Sequence, residues 1–190
     1  MNFTAIVAAL HALIKRADKI PDIRREVNAA INFFTTDLNA TRDVVEVQHA
    51  IVATEYTQAI LLSAFPRFRK FQFIKRAGVL EFLSPLDSRK MLSTSCDRAD
   101  KYYIAGSSVN ISMTKLATHL DVAYYQYAPI LTDASPDFWL LDAAWPCIFD
   151  RAAAKIFASI DDDGAAKKHE GYAVNAWLSK RTDLERGQGT

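Results

Sequence analysis

Three groups of residues in this chain have types and spacing that could do chemistry. Ser159, Asp161, Asp163, Gly164 and Glu170 fall at the first, third, fifth, sixth and twelfth positions of a calcium-binding loop. That spacing would gather oxygen ligands around a divalent cation. The match is partial, because the first position is Ser instead of Asp and Lys167 and Lys168 occupy the ninth and tenth. The plainer reading is preferred: a tight interhelical turn whose acidic residues cap and complement the N-terminus of the final helix.

The second group is Arg67, Arg69, Lys70, Lys75 and Arg76, interleaved with Phe68, Phe71 and Phe73 and with no acidic residue among them. Cations and rings at strand spacing suit phosphates and bases. An RNA-recognition strand would need Gly after its first basic residue and a βαββαβ order, and the chain has neither. Two readings stay open. One is a solvated strand face with inward-facing aromatics; the other is a basic face toward a neighbouring subunit, an acidic tail component or DNA.

The third group holds the remaining reactive types. His11, His49, His119 and His169 are scattered, without ligand spacing to Cys or to one another. Gly106-Ser107-Ser108 lacks the glycine of a nucleophile elbow, and neither GxxxxGK[ST] nor GxGxxG occurs. No catalytic residue, metal or cofactor is therefore expected, and the chain is read as a non-enzyme. Trp139, Trp145 and Trp177 lie at helical positions and are read as core or interface anchors.

The elements that must position these residues follow from composition and period. The 190 residues are 50% hydrophobic and 24% charged with a net charge of +1, which fits a globular chain with a real core and excludes a polyanion binder by bulk charge. Cys96 and Cys147 are expected as thiols in a reducing compartment. No apolar run reaches the roughly 18 residues that cross a bilayer, so no membrane contact is expected.

Phe3, Ile6, Val7, Leu10, Leu13 and Ile14 recur at helical steps, and Ile23, Val27, Ala30, Ile31, Phe34 and Leu38 continue them after Pro21. Two helices are expected to pack as an antiparallel pair. From Val44, alternation at Val45, Val47 and Ile51 predicts a strand, although residues 43–65 contain no Gly or Pro to break a helix. Tyr102 to Ala105 and Val109, Ile111 and Met113 predict a hairpin turning at Gly106-Ser107, and Leu120, Val122 and Tyr124 a further strand. Ser84-Pro85-Leu86-Asp87 reads as a short helix start leading into a polar loop through Asp100.

After Pro129 the helical period returns, with Pro136 opening a segment through Leu141, Pro146 beginning a helix and a final helix following Gly164. The expected fold class is α+β. Residues 1–42 and 130–185 would form a helical bundle, 43–129 an inserted antiparallel β lobe, and 186–190 a C-terminal tail.

Taken in order, the paired helices, Phe65-Pro66-Arg67-Phe68-Arg69, Tyr103-Ile104-Ala105-Gly106, Tyr124-Tyr125-Gln126-Tyr127-Ala128-Pro129, Trp139-Leu140-Leu141, Pro146, Ala152-Ala153-Ala154 and the acidic turn form a series. This series resembles the head-to-tail adaptor (connector) proteins of tailed bacteriophages, particularly the short-tailed group, over nearly the whole chain. The resemblance implies a virion structural protein, made in the host cytoplasm. It would assemble as a homo-oligomeric ring, typically a dodecamer, docked between the portal protein and a tail nozzle or tail tube.

Such a ring helps close the DNA exit channel, so non-specific DNA contact is also implied. The bundle would mediate ring packing. A C-terminal extension would reach the portal, which here falls on Arg181, Thr182, Asp183, Leu184, Glu185, Arg186, Gly187, Gln188, Gly189 and Thr190, a tail expected to order only on binding. The departure from the family pattern is that this tail is short. The competing readings are another phage assembly or binding protein of the same α+β order, or an enzyme with an unrecognised site.

Overall fold

The computed structural model describes residues 1–86 and 99–185. The chain divides into two compact units: Met1–Thr41 with Ala128–Thr190, and Arg42–Tyr127. Helices from both chain ends make the first unit and an inserted set of strands the second, an α+β fold as expected.

In the helical unit, α1 spans Phe3–Ile14. The Asn2 side chain caps its first turn by accepting from the Ala5 amide at 2.9 Å, and Lys15 closes it in the left-handed region. Helix α2, Ile20–Leu38, carries Pro21 in its first turn, where a missing N–H costs nothing, and ends at the left-handed Asn39. Helix α3 spans Trp139–Ala158 and α4 Asp163–Glu185. One core joins all four, with Phe3, Ile6 and Leu10 from α1, Ile23, Val27 and Phe34 from α2, Leu140, Ile148 and Ile156 from α3, and Trp177 from α4.

The start of α3 corrects the sequence reading at Pro136. Pro136 opens no helix; its carbonyl accepts the Phe3 amide at 2.9 Å, and the helix begins three residues later. Pro146 lies inside α3. A proline ring crowds the carbonyl four residues earlier and offers no N–H, and the backbone yields at Ala144, with φ −140° and ψ 27°. The expected helix start at Pro146 therefore holds: two helical segments meet at Ala144, and Pro146 lies in the first turn of the second.

The inserted unit holds β1 (Val44–Ala50), β2 (Thr57–Leu61), β3 (Phe68–Arg76), β4 (Ser84–Pro85), β5 (Lys101–Ala105), β6 (Ser108–Ser112) and β7 (His119–Gln126). They form a three-stranded sheet in the order β1-β7-β3 and a four-stranded sheet in the order β2-β6-β5-β4. All pairs are antiparallel except β4 with β5. The core between them contains Ile60, Phe65, Ile74, Val109, Ile111, Met113, Leu120, Val122 and Tyr124. Residues 43–65 hold the strands β1 and β2, a turn between them and short 3-10 segments, with no α-helix, which settles the open choice between strand and helix there. Gly106, at φ 57°, makes the expected β5–β6 turn.

Ser84 and Pro85 start no helix. Ser84 donates to the Asp100 carbonyl at 2.9 Å and Leu86 to that of Tyr102 at 2.7 Å, and Pro85 falls between them where an edge strand needs no donor. Asp87 and the polar loop expected up to residue 98 lie outside the described residues. Among the described residues, no helix is long and apolar enough to cross a membrane.

Candidate functional site: a cationic face at the start of β3

The five basic residues of β3 and its approach do not share one face. Two register shifts against β7 decide where each goes, one between Phe68 and Lys70 and one between Phe71 and Phe73. Each adds a residue to β3 and resets its alternation. Phe68, Phe71, Ile74 and Arg76 consequently stand opposite Gln126, Tyr124, Val122 and Leu120. The last three of these partners are core residues of the inserted unit.

Lys70 stands opposite Tyr125 on the other face, and the bulged Arg69 joins it. The Arg69 guanidinium lies 5.2 Å and the Lys70 ammonium 4.9 Å from the centre of the Tyr125 ring, both within cation–π range. Two consecutive side chains thereby serve one surface, which a regular strand forbids.

Arg67 completes the group from just outside the strand. It takes the left-handed conformation at φ 54°. Its guanidinium donates to the Gln126 side-chain oxygen and, at 3.2 Å, to the Tyr127 carbonyl. The Tyr127 amide returns a bond to the Arg67 carbonyl at 2.8 Å. This closes the start of β3 on the end of β7. Both partners of the guanidinium are neutral, so its charge is held in place without being cancelled. Among the described residues, neither Arg67 nor Lys70 forms an ion pair.

Lys75 and Arg76 differ from the expectation. Lys75 lies near the other end of β3, 3.8 Å from Asp121 on β7 and beside the Phe73 ring, so its charge is locally compensated. Arg76 points into the unit and is 4% exposed. Its guanidinium reaches Asp100 at 3.0 Å and the Thr114 hydroxyl at 3.1 Å, with Glu81 at 3.7 Å. It is an internal ion pair and leaves the basic face. The aromatics also divide: Phe68 and Phe71 turn inward with Phe65, whereas Phe73 turns outward onto the exposed Phe82 ring.

The candidate face is therefore Arg67, Arg69 and Lys70, with the Tyr125 ring beneath the last two and the exposed Tyr127, whose backbone Arg67 holds, beside them. Sequence reasoning missed the two tyrosines as members. The signal that could have found them is the antiparallel pairing of the two strands, which brings the Tyr-Tyr-Gln-Tyr run against Arg67–Lys70. Chemically the face can attract carboxylates or phosphates. Arg69 and Lys70 cover the Tyr125 ring, which disfavours base stacking there.

The acidic interhelical turn is built as a cap. Ser159 donates to the Ile156 carbonyl at 2.7 Å, Asp161 turns the chain at φ 61°, and Asp162 accepts the Ala165 amide at 3.0 Å. Helix α4 starts at Asp163, so Gly164 and Glu170 are helical, and Glu170 stands roughly 10 Å along the axis from Asp163. Its charge acts on Arg151 of α3 instead. These carboxylates do not converge on one ion.

Elsewhere, His169 on α4 and Asp150 on α3 approach to 2.8 Å, with the imidazole stacked on Phe157 at 5.5 Å. Cys147 on α3 is fully buried, and burial, with Asp150, pushes its thiol above the ordinary range, which leaves it unreactive. Cys96 lies outside the described residues.

The expected portal-binding segment is split. Arg181–Glu185 are the last residues of α4. Arg181 lies 3.2 Å from Asp37 of α2, and Leu184 packs on the helical core. For Arg181–Glu185 this differs from the expectation of order only on binding: Trp177, Arg181 and Leu184 repeat at helical steps and carry the buried side of α4 onward. Arg186, Gly187, Gln188, Gly189 and Thr190 lie outside the described residues. No protein-family model and no curated protein matches the chain.

Proposed function

We propose that this protein is a virion structural protein, a head-to-tail adaptor that forms a ring between the portal and the tail of a tailed bacteriophage. The observation that carries this reading is the order of the family-like series along a helix–lobe–helix chain. Its Phe65–Arg69 run leads into β3, its Tyr103–Gly106 run makes the β5–β6 turn, its Tyr124–Pro129 run leaves the inserted unit, and Trp139 opens α3.

A second feature supports work within an assembly. Helix α4 has two apolar sides: Ala173 and Trp177 are buried, while Val174 and Leu178, one turn apart, are exposed, as is Ile130 in the same unit. Function in this reading is mechanical and requires no reaction.

The test is negative-stain electron microscopy of the purified protein, alone and mixed with portal rings of the same phage. Closed rings, or added density under the portal, are expected. A protein that stays monomeric alone and fails to co-sediment with portal rings would overturn the proposal.

A further inference from the structure

We infer that the cationic face at the start of β3 is the docking surface for a second copy of this chain, whose acidic α3–α4 turn seats on it. The argument is charge complementarity between two surfaces of one molecule. On one side stand Arg67, Arg69 and Lys70, the first two-fold bonded to neutral groups and the last over the Tyr125 ring. On the other stand Asp161, Asp162 and Asp163, three consecutive exposed carboxylates in a turn whose backbone is held by the Asp162 cap.

The chain as a whole is almost neutral, at +1, so these concentrations of opposite sign stand out against a balanced background. Both surfaces are preorganised. The bulge sets Arg69 beside Lys70, the Arg67 staple fixes the strand entry, and the left-handed Asp161 projects the turn. Asp162 spends one oxygen on the Ala165 amide, while Asp161 and Asp163 face solvent.

A contact that joins two different patches is heterologous, and repetition of such a contact yields a closed ring or an open filament. It therefore rests on the ring reading and names the surfaces that ring formation would use. Rim charges of this kind act on register and association rate and weaken as salt rises. Phosphate is the competing anion for the same cations; the covered Tyr125 ring and the presence of a matching acidic turn on the same chain favour protein over nucleic acid.

The experiment uses the full chain and three variants: R69E/K70E, D161K/D163K and the four-fold swap that combines them. Arg67 is left alone because it staples the strand entry. Assembly is read by sedimentation and electron microscopy, alone and on portal rings, across protein concentration and salt. Circular dichroism melts confirm that each variant is folded.

Each double variant is expected to need about tenfold more protein to assemble, and the four-fold swap, or an equimolar mixture of the two double variants, to restore assembly. Equal assembly by all forms would overturn this contact and leave the ring reading standing. Loss on reversal without recovery in the swap would overturn it as well. A wild-type chain that assembles in neither setting would overturn the ring reading and this inference together. If R69E/K70E assembles normally but loses binding to a fluorescent duplex oligonucleotide, the face belongs to nucleic acid and the inference falls.

Discussion

The Arg76 guanidinium lies 3.0 Å from the Asp100 carboxylate inside the inserted unit, and Thr114 ties the pair together. The Thr114 amide and hydroxyl both donate to Asp100, at 3.0 and 2.7 Å, while the same hydroxyl accepts from Arg76 at 3.1 Å. One carboxylate thus joins the end of β3, the approach to β5 and the residues after β6. A buried guanidinium is tolerable only because it is paired in this way.

Burial acts to raise the Asp100 carboxyl, but the two Thr114 donors and the Arg76 charge outweigh it and hold the group below the usual carboxylate range. A carboxyl depressed in the folded state stabilises the fold above its unfolded value, about 3.9, and that contribution is lost as pH falls through the folded value. Asp100→Asn should therefore lower stability by about 1 to 3 kcal/mol at neutral pH. The gap from wild type should shrink below about pH 4. Urea unfolding at the two pH values measures both, and an unchanged gap at low pH would deny the carboxylate its role.

On the helical side, Asp37 of α2 receives the Trp177 indole N–H at 2.8 Å and faces Arg181 at 3.2 Å. The ring itself packs on Phe34, with centroids 4.5 Å apart. Trp177→Ala should cost about 3 to 5 kcal/mol through the cavity it leaves. Arg181→Ala should cost no more than about 1 kcal/mol, since that pair is two-fifths exposed. Thermal melts of the two variants separate packing from charge; comparable losses would contradict this ranking.

What was legible in the sequence were the elements with a clean period. The stripes of α1, apart from Leu13, which is exposed, and of α2, and the hairpin at Gly106, follow from single-residue periodicity, because each buries one side against one core. The face at β3 was legible only in part. Its bulges have no local mark, so regular alternation could not show that Arg69 would join Lys70 or that Arg76 would turn inward. Pro85 misled in the same manner. It reads as the start of a helix, yet it sits in an edge strand, where pairing with β5 decided the outcome. The Arg76–Asp100–Thr114 group joins residues 14 to 38 positions apart, and no local pattern announces such a pairing.

Calcium gives a third test. Asp162 caps α4, and Gly164 and Glu170 are already helical, so calorimetric titration with calcium should show no saturable binding. Asp162→Ala should instead lower stability by about 0.5 to 2 kcal/mol, the usual cost of a lost cap. Micromolar calcium binding abolished by Glu170→Gln would overturn the capping account.

The fourth prediction concerns the C-terminal end, where two truncations should now behave differently. Arg181 pairs with Asp37 and Leu184 packs on the core, so removing residues 181–190 strips contacts from α4 and should lower the melting temperature measurably. Removing only 186–190 leaves those two contacts in place. If the end of the chain carries the portal contact, the shorter truncation should still abolish co-sedimentation with portal rings. Ordering each residue costs about 1 to 2 kcal/mol, so one tail binds weakly and only many copies in a ring bind firmly. Co-sedimentation at wild-type level by the chain lacking 186–190, with loss only on removal of 181–190, would move the contact to the last turn of α4. Retention by both truncations would exclude the C-terminal end and shift the portal contact to the helical unit or the inserted lobe.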